Sequence, residues 1–316
     1  MHSRHLGPTG LDVGAIGLGC MGMTDFYTTG GYDEAASVEV VHHALDQGMT
    51  LIDTADVYGP FTNEELLGRA LAGRREQAVL ATKVGLVQEP DRPMYRNGRP
   101  EHIHASIRAS LKRLGTDHVD LYYLHRVDPD VPLAESWGAM AELVEAGLVR
   151  GIGLSEVGVE ELAAAQAVHP VAAVQTELSL WSREVLADVL PWCEANGAAF
   201  VPYSPLGRGF LTGGYTSPDA FAPDDYRTAN PRFAREAFAA NLAIVETLRR
   251  VAERHGATPG QVALAWTLAQ GEQVVPIPGT KRLGHLAENA GAADLRLSDA
   301  DLTELDSAPA PVGSRY

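Results

Sequence analysis

The sequence is poor in cysteine, has fewer basic than acidic residues and contains no long apolar run. Its two cysteines, Cys20 and Cys193, lie far apart and outside any metal-ligand spacing, which excludes a disulfide framework and fits a reducing compartment. The 41 Asp and Glu residues outnumber the 25 Lys and Arg residues, and the formal net charge of −16 disfavours binding to nucleic acid or to anionic membranes. Because no stretch approaches the roughly 20 apolar residues of a membrane helix and the N-terminus lacks a signal-peptide core, we expect a soluble cytoplasmic protein.

Short β-rich runs alternate with longer segments of helical period along the chain. Ile103, Ile107 and Leu111, for example, recur every four residues in a predicted helix that ends at Gly115. The strand-like runs number eight: residues 13–19, 50–55, 78–84, 119–125, 149–155, 172–178, 198–204 and 273–279. Eight strands with intervening helices and no linker predict an α/β fold, a single (β/α)8 TIM barrel over residues 1–316.

An open doubly wound sheet is the alternative architecture for the same alternation. A β-hairpin at residues 4–14, turning on GPTG, precedes the first strand and is expected to plug the bottom of a barrel. The irregular segment 212–236 follows the seventh strand and is too long for a simple connection, which indicates a lid or binding loop.

A glycine triplet at the end of the first strand imitates a dinucleotide-binding fingerprint. Gly17, Gly19 and Gly22 match the GxGxxG spacing, which requires a helix directly behind the glycines to receive a pyrophosphate. The following MTDFYTTGGYDE has no helical period, so tight turning and close packing explain the glycines better.

Two further patterns fall short of a catalytic or metal site. GLSEVG has one residue too many to form a GxSxG nucleophile elbow, so a hydrolase rests on Ser155 alone. His102 and His104 are two residues apart on a predicted helix, and His42 and His43 are adjacent, so neither pair has chelating geometry. We therefore predict no metal site.

Four polar residues at the ends of consecutive predicted strands form a more specific constellation. Asp53 and Tyr58 belong to the end of the second strand, Lys83 to the third and His125 to the fourth. In a closed parallel barrel these ends meet on one face, where active sites are built.

The chemistry of these four groups is that of carbonyl reduction. A neighbouring ammonium favours the phenolate, so Lys83 would make Tyr58 a better acid, while Asp53 would balance and orient Lys83. His125 could orient a carbonyl oxygen. The carbonyl carbon would then need a nucleophile, and a nicotinamide cofactor can supply one as hydride.

Six motifs in order make the chain resemble the aldo-keto reductases. They are LIDTADVYG, TKVG, SLKRLGTDHVDLYYLHRVDP, GIGLSE, PYSPLGRGFLTG and IPGTKRLGHLAENAGA, and the resemblance runs from about Leu6 to about Ala293. It implies a β/α barrel that holds NADP(H) in an extended pose without a Rossmann domain. The family's Asp, Tyr, Lys and His tetrad would fall on Asp53, Tyr58, Lys83 and His125, with Tyr58 as the general acid.

The same resemblance assigns residues to the nicotinamide and the pyrophosphate. Ser155 and Gln175 would hold the carboxamide, and Tyr203 would stack on the nicotinamide ring. Three residues of the YSPLG stretch would line the pyrophosphate channel: Ser204, Leu206 and Gly207. Where many members have Asn after the carboxamide serine, this chain has Glu156.

The adenosine end of the cofactor would lie near the eighth strand. The residues around the 2′-phosphate would be Gly279, Thr280, Lys281 and Arg282. Glu288 and Asn289 would contact the ribose and adenine, and His285 stands where some members carry Arg. Two adjacent cations at a helix N-terminus fit a 2′-phosphate, so we predict NADPH over NADH.

The leading hypothesis is therefore an NADPH-dependent oxidoreductase that reduces small aldehydes or ketones. A cofactor-bound regulatory subunit with little turnover is the alternative that the resemblance also allows. Specificity is expected in the loops 85–100 and 212–236. The residues that could form an aromatic wall for the substrate, with ordinary packing as the competing interpretation, are Phe26, Tyr27 and Trp181.

Overall fold

A parallel sheet curls through the centre of the computed structural model, which describes residues 1–24 and 32–315. In chain order, the strands of the described residues are β1 (Ser3–His5), β2 (Asp12–Gly14), β3 (Leu18–Gly19), β4 (Leu51–Asp53), β5 (Val79–Val84), β6 (Leu86–Val87), β7 (Tyr95–Arg96), β8 (Val119–Leu124), β9 (Val149–Ser155), β10 (Ala173–Gln175) and β11 (Ala199–Phe200), of which seven form the parallel sheet. The sheet has the order β11-β10-β9-β8-β5-β4-β3, and its neighbours all pair in parallel.

The eighth predicted run, residues 273–279, closes this sheet between its two edges. On one side the Val275 N–H donates to the Phe200 carbonyl at 2.8 Å, and on the other the Gly17 N–H donates to the Pro276 carbonyl at 2.9 Å. Pro276 has no N–H of its own, which keeps the pairing of this run intermittent. The eight-stranded barrel is confirmed, and an open sheet is excluded.

The glycines at the end of the first strand serve this closure. A Cβ added to Gly19 would lie 2.7 Å from the carbonyl oxygen of Ile277, and one added to Gly17 would lie 2.8 Å from that of Leu51. A short 3-10 turn, Met21–Met23, follows, and the next α-helix among the described residues begins at Glu34. Gly17 and Gly19 are thus explained by close strand packing, as predicted.

The predicted N-terminal hairpin is also confirmed. Strands β1 and β2 pair antiparallel, and the turn between them carries Leu6 into the barrel interior, where its side chain is fully buried. Gly7 has a φ of +54°, and a Cβ there would collide with the carbonyl of Ala172. The hairpin therefore covers the end of the barrel where the parallel strands begin.

Helices surround the sheet. They are α1 (Glu34–Asp46), α2 (Thr62–Ala70), α3 (Pro100–Leu114), α4 (Leu133–Glu145), α5 (Val159–Gln166), α6 (Val189–Asn196), α7 (Arg235–His255), α8 (Pro259–Leu268), α9 (Leu283–Gly291) and α10 (Asp299–Asp306). Local sequence explains their ends: the Asp33 side chain accepts from the Ala36 N–H at the start of α1, and Gly115 ends α3 in the left-handed region. In the described ranges, 1–24 and 32–315, none of the helices is long and apolar enough to cross a membrane.

The two long loops at the opposite end of the barrel are both folded. Strands β6 and β7 form a small hairpin within the loop 85–100. Phe233 in the loop 212–236 packs edge-on against Trp181, which itself stacks on Phe210 at 4.8 Å between ring centroids. Trp181 is 2% exposed, which favours ordinary packing, the second of the two interpretations of this residue. Phe26 and Tyr27 lie outside the described residues.

Candidate active site

The barrel brings the four predicted catalytic side chains to one mouth. Asp53 ends β4, Lys83 lies near the end of the adjacent β5, and His125 directly follows β8, the next strand in the sheet. Tyr58 lies in the loop after β4, where its backbone N–H is bonded to the carbonyl of Ala55. The carboxyl ends of three neighbouring strands thus hold the whole set.

Lys83 is the centre of this arrangement. Its ammonium donates to Asp53 Oδ1 at 2.5 Å, to the carbonyl oxygen of Thr54 at 2.6 Å and to Tyr58 Oη at 3.3 Å. Burial lowers the pKa of Lys83, but the Asp53 carboxylate and then the Tyr58 phenol act against burial and raise it overall. The ammonium is therefore charged although it is fully buried.

The phenol of Tyr58 is held in its protonated form. Burial raises its pKa, and the charge of Lys83 opposes this without cancelling it. The predicted effect of Lys83 on the phenol is thus present, but burial outweighs it. A buried phenol that is protonated at neutral pH and lies next to an ammonium can donate its proton to a developing oxyanion.

His125 lies beside Tyr58 as a neutral ring. The two ring centroids are 5.9 Å apart in an edge-to-face arrangement. Burial, and then the charges of Lys83 and Arg126, hold the pKa of His125 well below its usual range. Its Nδ1 atom is buried and has no hydrogen-bond partner among residues 1–24 and 32–315. A neutral imidazole here can orient a polar atom of a small molecule.

The two residues predicted at the nicotinamide carboxamide are both buried at strand ends. Gln175, at the end of β10, donates from Nε2 to Asp53 Oδ2 at 2.8 Å. Ser155, at the end of β9, accepts a hydrogen bond from Arg126 Nη1 at 3.1 Å. Gln175 is therefore tied to the tetrad, a contact that the sequence did not indicate. A hydrolase would need a base beside the Ser155 hydroxyl, and a guanidinium cannot act as one. This contact therefore gives the hydrolase hypothesis no support.

Glu156 connects the next two strand ends. It adopts a left-handed φ of +57°, and its Oε1 accepts from Tyr203 Oη at 2.9 Å and from the Glu177 N–H at 3.2 Å. Arg315 forms an ion pair with its other carboxylate oxygen. Sequence reasoning missed Arg315, because nothing near it in the chain marks it as part of a site.

The stretch predicted to line a pyrophosphate channel has unusual backbone geometry. Ser204, Gly207 and Arg208 have φ values of +49°, +55° and +56°. A Cβ on Gly207 would lie 2.7 Å from the Trp181 ring, so glycine is required there. Leu206 is half-buried beside them. The N–H groups of Gly207 and Gly209 donate to the carbonyls of Ser204 and Leu206 at 2.9 and 3.0 Å, so this stretch is a tight turn.

The residues predicted to surround the 2′-phosphate lie at the C-terminal end of the eighth run, residues 273–279, and directly after it. Thr280 Oγ1 accepts from the Arg282 N–H at 3.1 Å, and Lys281 and Arg282 are exposed directly before α9. Glu288 on α9 accepts a hydrogen bond of 2.5 Å from Thr258, while Asn289 is buried. Exposed Gly279 ends the run, and His285 is exposed on α9. The chemistry of this set is that of a phosphate site.

Neighbouring residues support the loop that carries Tyr58. Thr54 Oγ1 donates to Asn63 Oδ1 at 2.6 Å, and Asn63 in turn donates to the carbonyl of Cys20 at 2.9 Å. Thr54 thus supports the loop through its side chain. Asp56 is buried, and its Oδ1 has no partner within the described part of the chain.

Comparison with known proteins agrees with the geometry. The sequence model of the aldo/keto reductase family matches residues 15–310 of this chain. The aldo-keto reductase yakc of Schizosaccharomyces pombe, whose name specifies NADP(+), is 44% identical over 313 residues, covering 96% of this chain and 92% of that protein. Probable aldo-keto reductase 1 of Glycine max is 43% identical over 309 residues, covering 98% and 88%.

Solved structures show the same barrel. A glycerol dehydrogenase from Gluconobacter oxydans superposes with a TM-score of 0.88 at 31% identity, covering 97% of this chain and 94% of that one. A thermostable aldo-keto reductase in complex with the inhibitor epalrestat gives a TM-score of 0.79 at 34% identity, covering 98% and 100%. The predicted resemblance is confirmed, and the chain belongs to the aldo-keto reductase family of oxidoreductases.

Proposed function

We propose that this protein is an NADPH-dependent reductase that converts small aldehydes or ketones to alcohols. The observation that carries the proposal is the buried contact of Lys83 with both Asp53 and Tyr58, beside a neutral His125. This arrangement keeps a proton on a phenol and a positive charge behind it, at the mouth of a barrel. The whole chain would form one barrel domain, and its place in the cytoplasm stays a prediction.

The residues at the mouth fit an NADPH molecule along its length. The turn that carries Ser204, Leu206 and Gly207 would line the pyrophosphate channel, and Lys281 and Arg282 before α9 suit a 2′-phosphate. Ser155 and Tyr203 would lie at the nicotinamide, and Glu288 and Asn289 at the adenosine. The name of the S. pombe relative, which specifies NADP(+), agrees with this choice. When bound, NADPH supplies the hydride that reduces the carbonyl carbon.

The protein's own residues would supply the proton and the orientation. Tyr58 donates its phenolic proton to the carbonyl oxygen as negative charge develops there, and Lys83 stabilises the resulting phenolate. Asp53 fixes Lys83 and is itself fixed by Gln175. Neutral His125 donates an N–H to the carbonyl oxygen, which selects a productive pose.

The decisive experiment is steady-state oxidation of NADPH and of NADH against a panel of aldehydes, ketones and quinones. We expect turnover with NADPH, and we expect Tyr58→Phe to reduce kcat by about 100-fold to 10,000-fold while NADPH still binds. Tyr122→Phe is the matched control, since the Tyr122 hydroxyl is buried without a partner among the described residues. Tight NADPH binding without turnover on any substrate would instead favour the regulatory subunit. Turnover unchanged in Tyr58→Phe would refute the role of the phenol.

A further inference from the structure

The last described residues of the chain fold back over the mouth of the barrel. The Val312 N–H donates to Asn241 Oδ1 at 2.7 Å, and Asn241 Nδ2 donates to the Val312 carbonyl at 3.0 Å. The carbonyl of Arg315 accepts from Asn230 Nδ2 at 2.9 Å. Gly313 has a φ of +93° and lies so close to Pro231 that a Cβ would approach the proline carbonyl to 2.9 Å. These contacts hold the path of the tail without involving the Arg315 side chain.

That side chain reaches two carboxylates at neighbouring strand ends. Arg315 pairs with Glu156, and its Nε lies 3.8 Å from Glu177 Oε2. Glu177 has other cationic and polar neighbours, since Arg232 Nη1 lies 3.9 Å from its Oε1 and Ser182 Oγ donates to the same oxygen at 2.7 Å. Of the two carboxylates, Glu156 makes the closer ion pair with Arg315.

The charge of Glu156 matters because of where it lies. It directly follows Ser155, and it accepts the hydrogen bond of Tyr203, the residue proposed to stack on the nicotinamide ring. The side chain of Glu156 is only 14% exposed, so its charge is weakly screened by solvent. A nicotinamide ring is positively charged only in the oxidised cofactor, so an unbalanced carboxylate here would favour NADP+ over NADPH.

We propose that Arg315 is a positioning residue that balances the charge of Glu156 and so sets the relative affinity of the pocket for oxidised and reduced cofactor. In the reductive direction this balance matters, because the pocket must take up NADPH and release NADP+. The inference rests on the proposed cofactor site. It adds a residue from the C-terminal tail, 159 positions away from Glu156, to the determinants of that site.

The test is a direct binding titration with each cofactor form and no substrate. The dissociation constants of NADPH and NADP+ are measured for the wild type, Arg315→Gln, Arg315→Lys and Glu156→Gln by quenching of tryptophan fluorescence and by calorimetry. Arg250→Gln is the matched control, because it removes an exposed arginine that pairs with Glu304 on the outer surface of the barrel. Melting temperatures establish that each variant is folded.

We expect Arg315→Gln to lower the ratio of Kd for NADP+ to Kd for NADPH on the order of tenfold, as expected for one poorly screened charge. Glu156→Gln should shift the ratio in the opposite direction, since it leaves the guanidinium unbalanced. Arg315→Lys, which keeps the charge, should stay close to the wild type, and so should Arg250→Gln.

Other results would overturn the inference in distinguishable ways. If Arg315→Gln weakens the binding of both cofactor forms by the same factor, the residue only anchors the tail. If neither constant changes, Arg315 has no role at the pocket, while the proposed function stands. If the wild type binds neither form, the proposed cofactor site and this inference fail together.

Discussion

Lys83 donates a hydrogen bond of 2.5 Å to Asp53, and the two side chains are 0% and 4% exposed. A buried ion pair is tolerated only when its remaining hydrogen-bonding capacity is used. Here the Thr54 carbonyl accepts a second hydrogen bond from the ammonium, and Gln175 donates one to the second carboxylate oxygen. The pair is therefore part of the core of the barrel as well as of the active site.

Asp53→Asn should destabilise the fold as well as the site. It would leave the Lys83 ammonium buried without a carboxylate, and removing one partner of such a pair costs about 3–5 kcal/mol of unfolding free energy. Urea denaturation measures the loss. Glu34→Gln serves as the control, because it breaks an exposed ion pair with Arg69 and should leave the midpoint nearly unchanged. Equal stability of the two variants would contradict the prediction.

The neutral state of His125 should make stability depend on pH. Burial, with the charges of Lys83 and Arg126, holds the folded-state pKa of His125 well below the value of about 6.5 for an unfolded histidine. Above pH 6.5 both states are neutral at this residue and stability is unaffected. As the pH falls below about 6.5, the unfolded state takes up a proton that the folded state does not, which costs about 1.4 kcal/mol per pH unit.

His125→Gln removes this contribution, so its unfolding free energy should fall less steeply between about pH 6.5 and pH 5. Denaturation curves of the wild type and the variant at a series of pH values give the two slopes. Parallel slopes would mean that His125 takes up its proton in the folded protein as readily as in the unfolded chain.

Lys281→Ala should weaken NADPH binding more than NADH binding. A charge-assisted hydrogen bond to the 2′-phosphate would be lost, and we expect the Kd for NADPH to rise about tenfold while that for NADH changes little. Lys112→Ala, which removes an exposed cation from α3, controls for the change in net charge. An equal effect of Lys281→Ala on both cofactors would place the 2′-phosphate elsewhere.

Gly19→Ala should disturb the closure of the barrel. The new methyl group would lie 2.7 Å from the Ile277 carbonyl, and the backbone shift that it forces should cost about 1–3 kcal/mol of unfolding free energy. Gly138→Ala in α4 has no atom within 4 Å of the new methyl group, and we expect it to stabilise the helix by about 1 kcal/mol. Thermal or urea unfolding of both variants tests the contrast, which would be contradicted if Gly19→Ala were neutral.

Much of the architecture could be predicted because it depends on local patterns. The seven apolar runs between residues 13 and 204 all contain strands. The eighth run, 273–279, closes the barrel, and Pro276 and Pro278 keep its pairing irregular. Helix ends depend on other signals: α1 begins at Glu34 because the Asp33 side chain caps it. A side-chain cap is a weaker signal than a repeating apolar face.

The sequence by itself determined the order of strands and helices and the identity of the four residues at their ends, since apolar period and residue chemistry are local properties. Only the tertiary structure decided that Gln175 binds Asp53, that Trp181 stacks on Phe210 and that Arg315 meets Glu156. These contacts join residues far apart in the chain. They exist because closing the barrel brings all strand ends to one mouth, and side-chain direction there is set by packing rather than by neighbours in sequence.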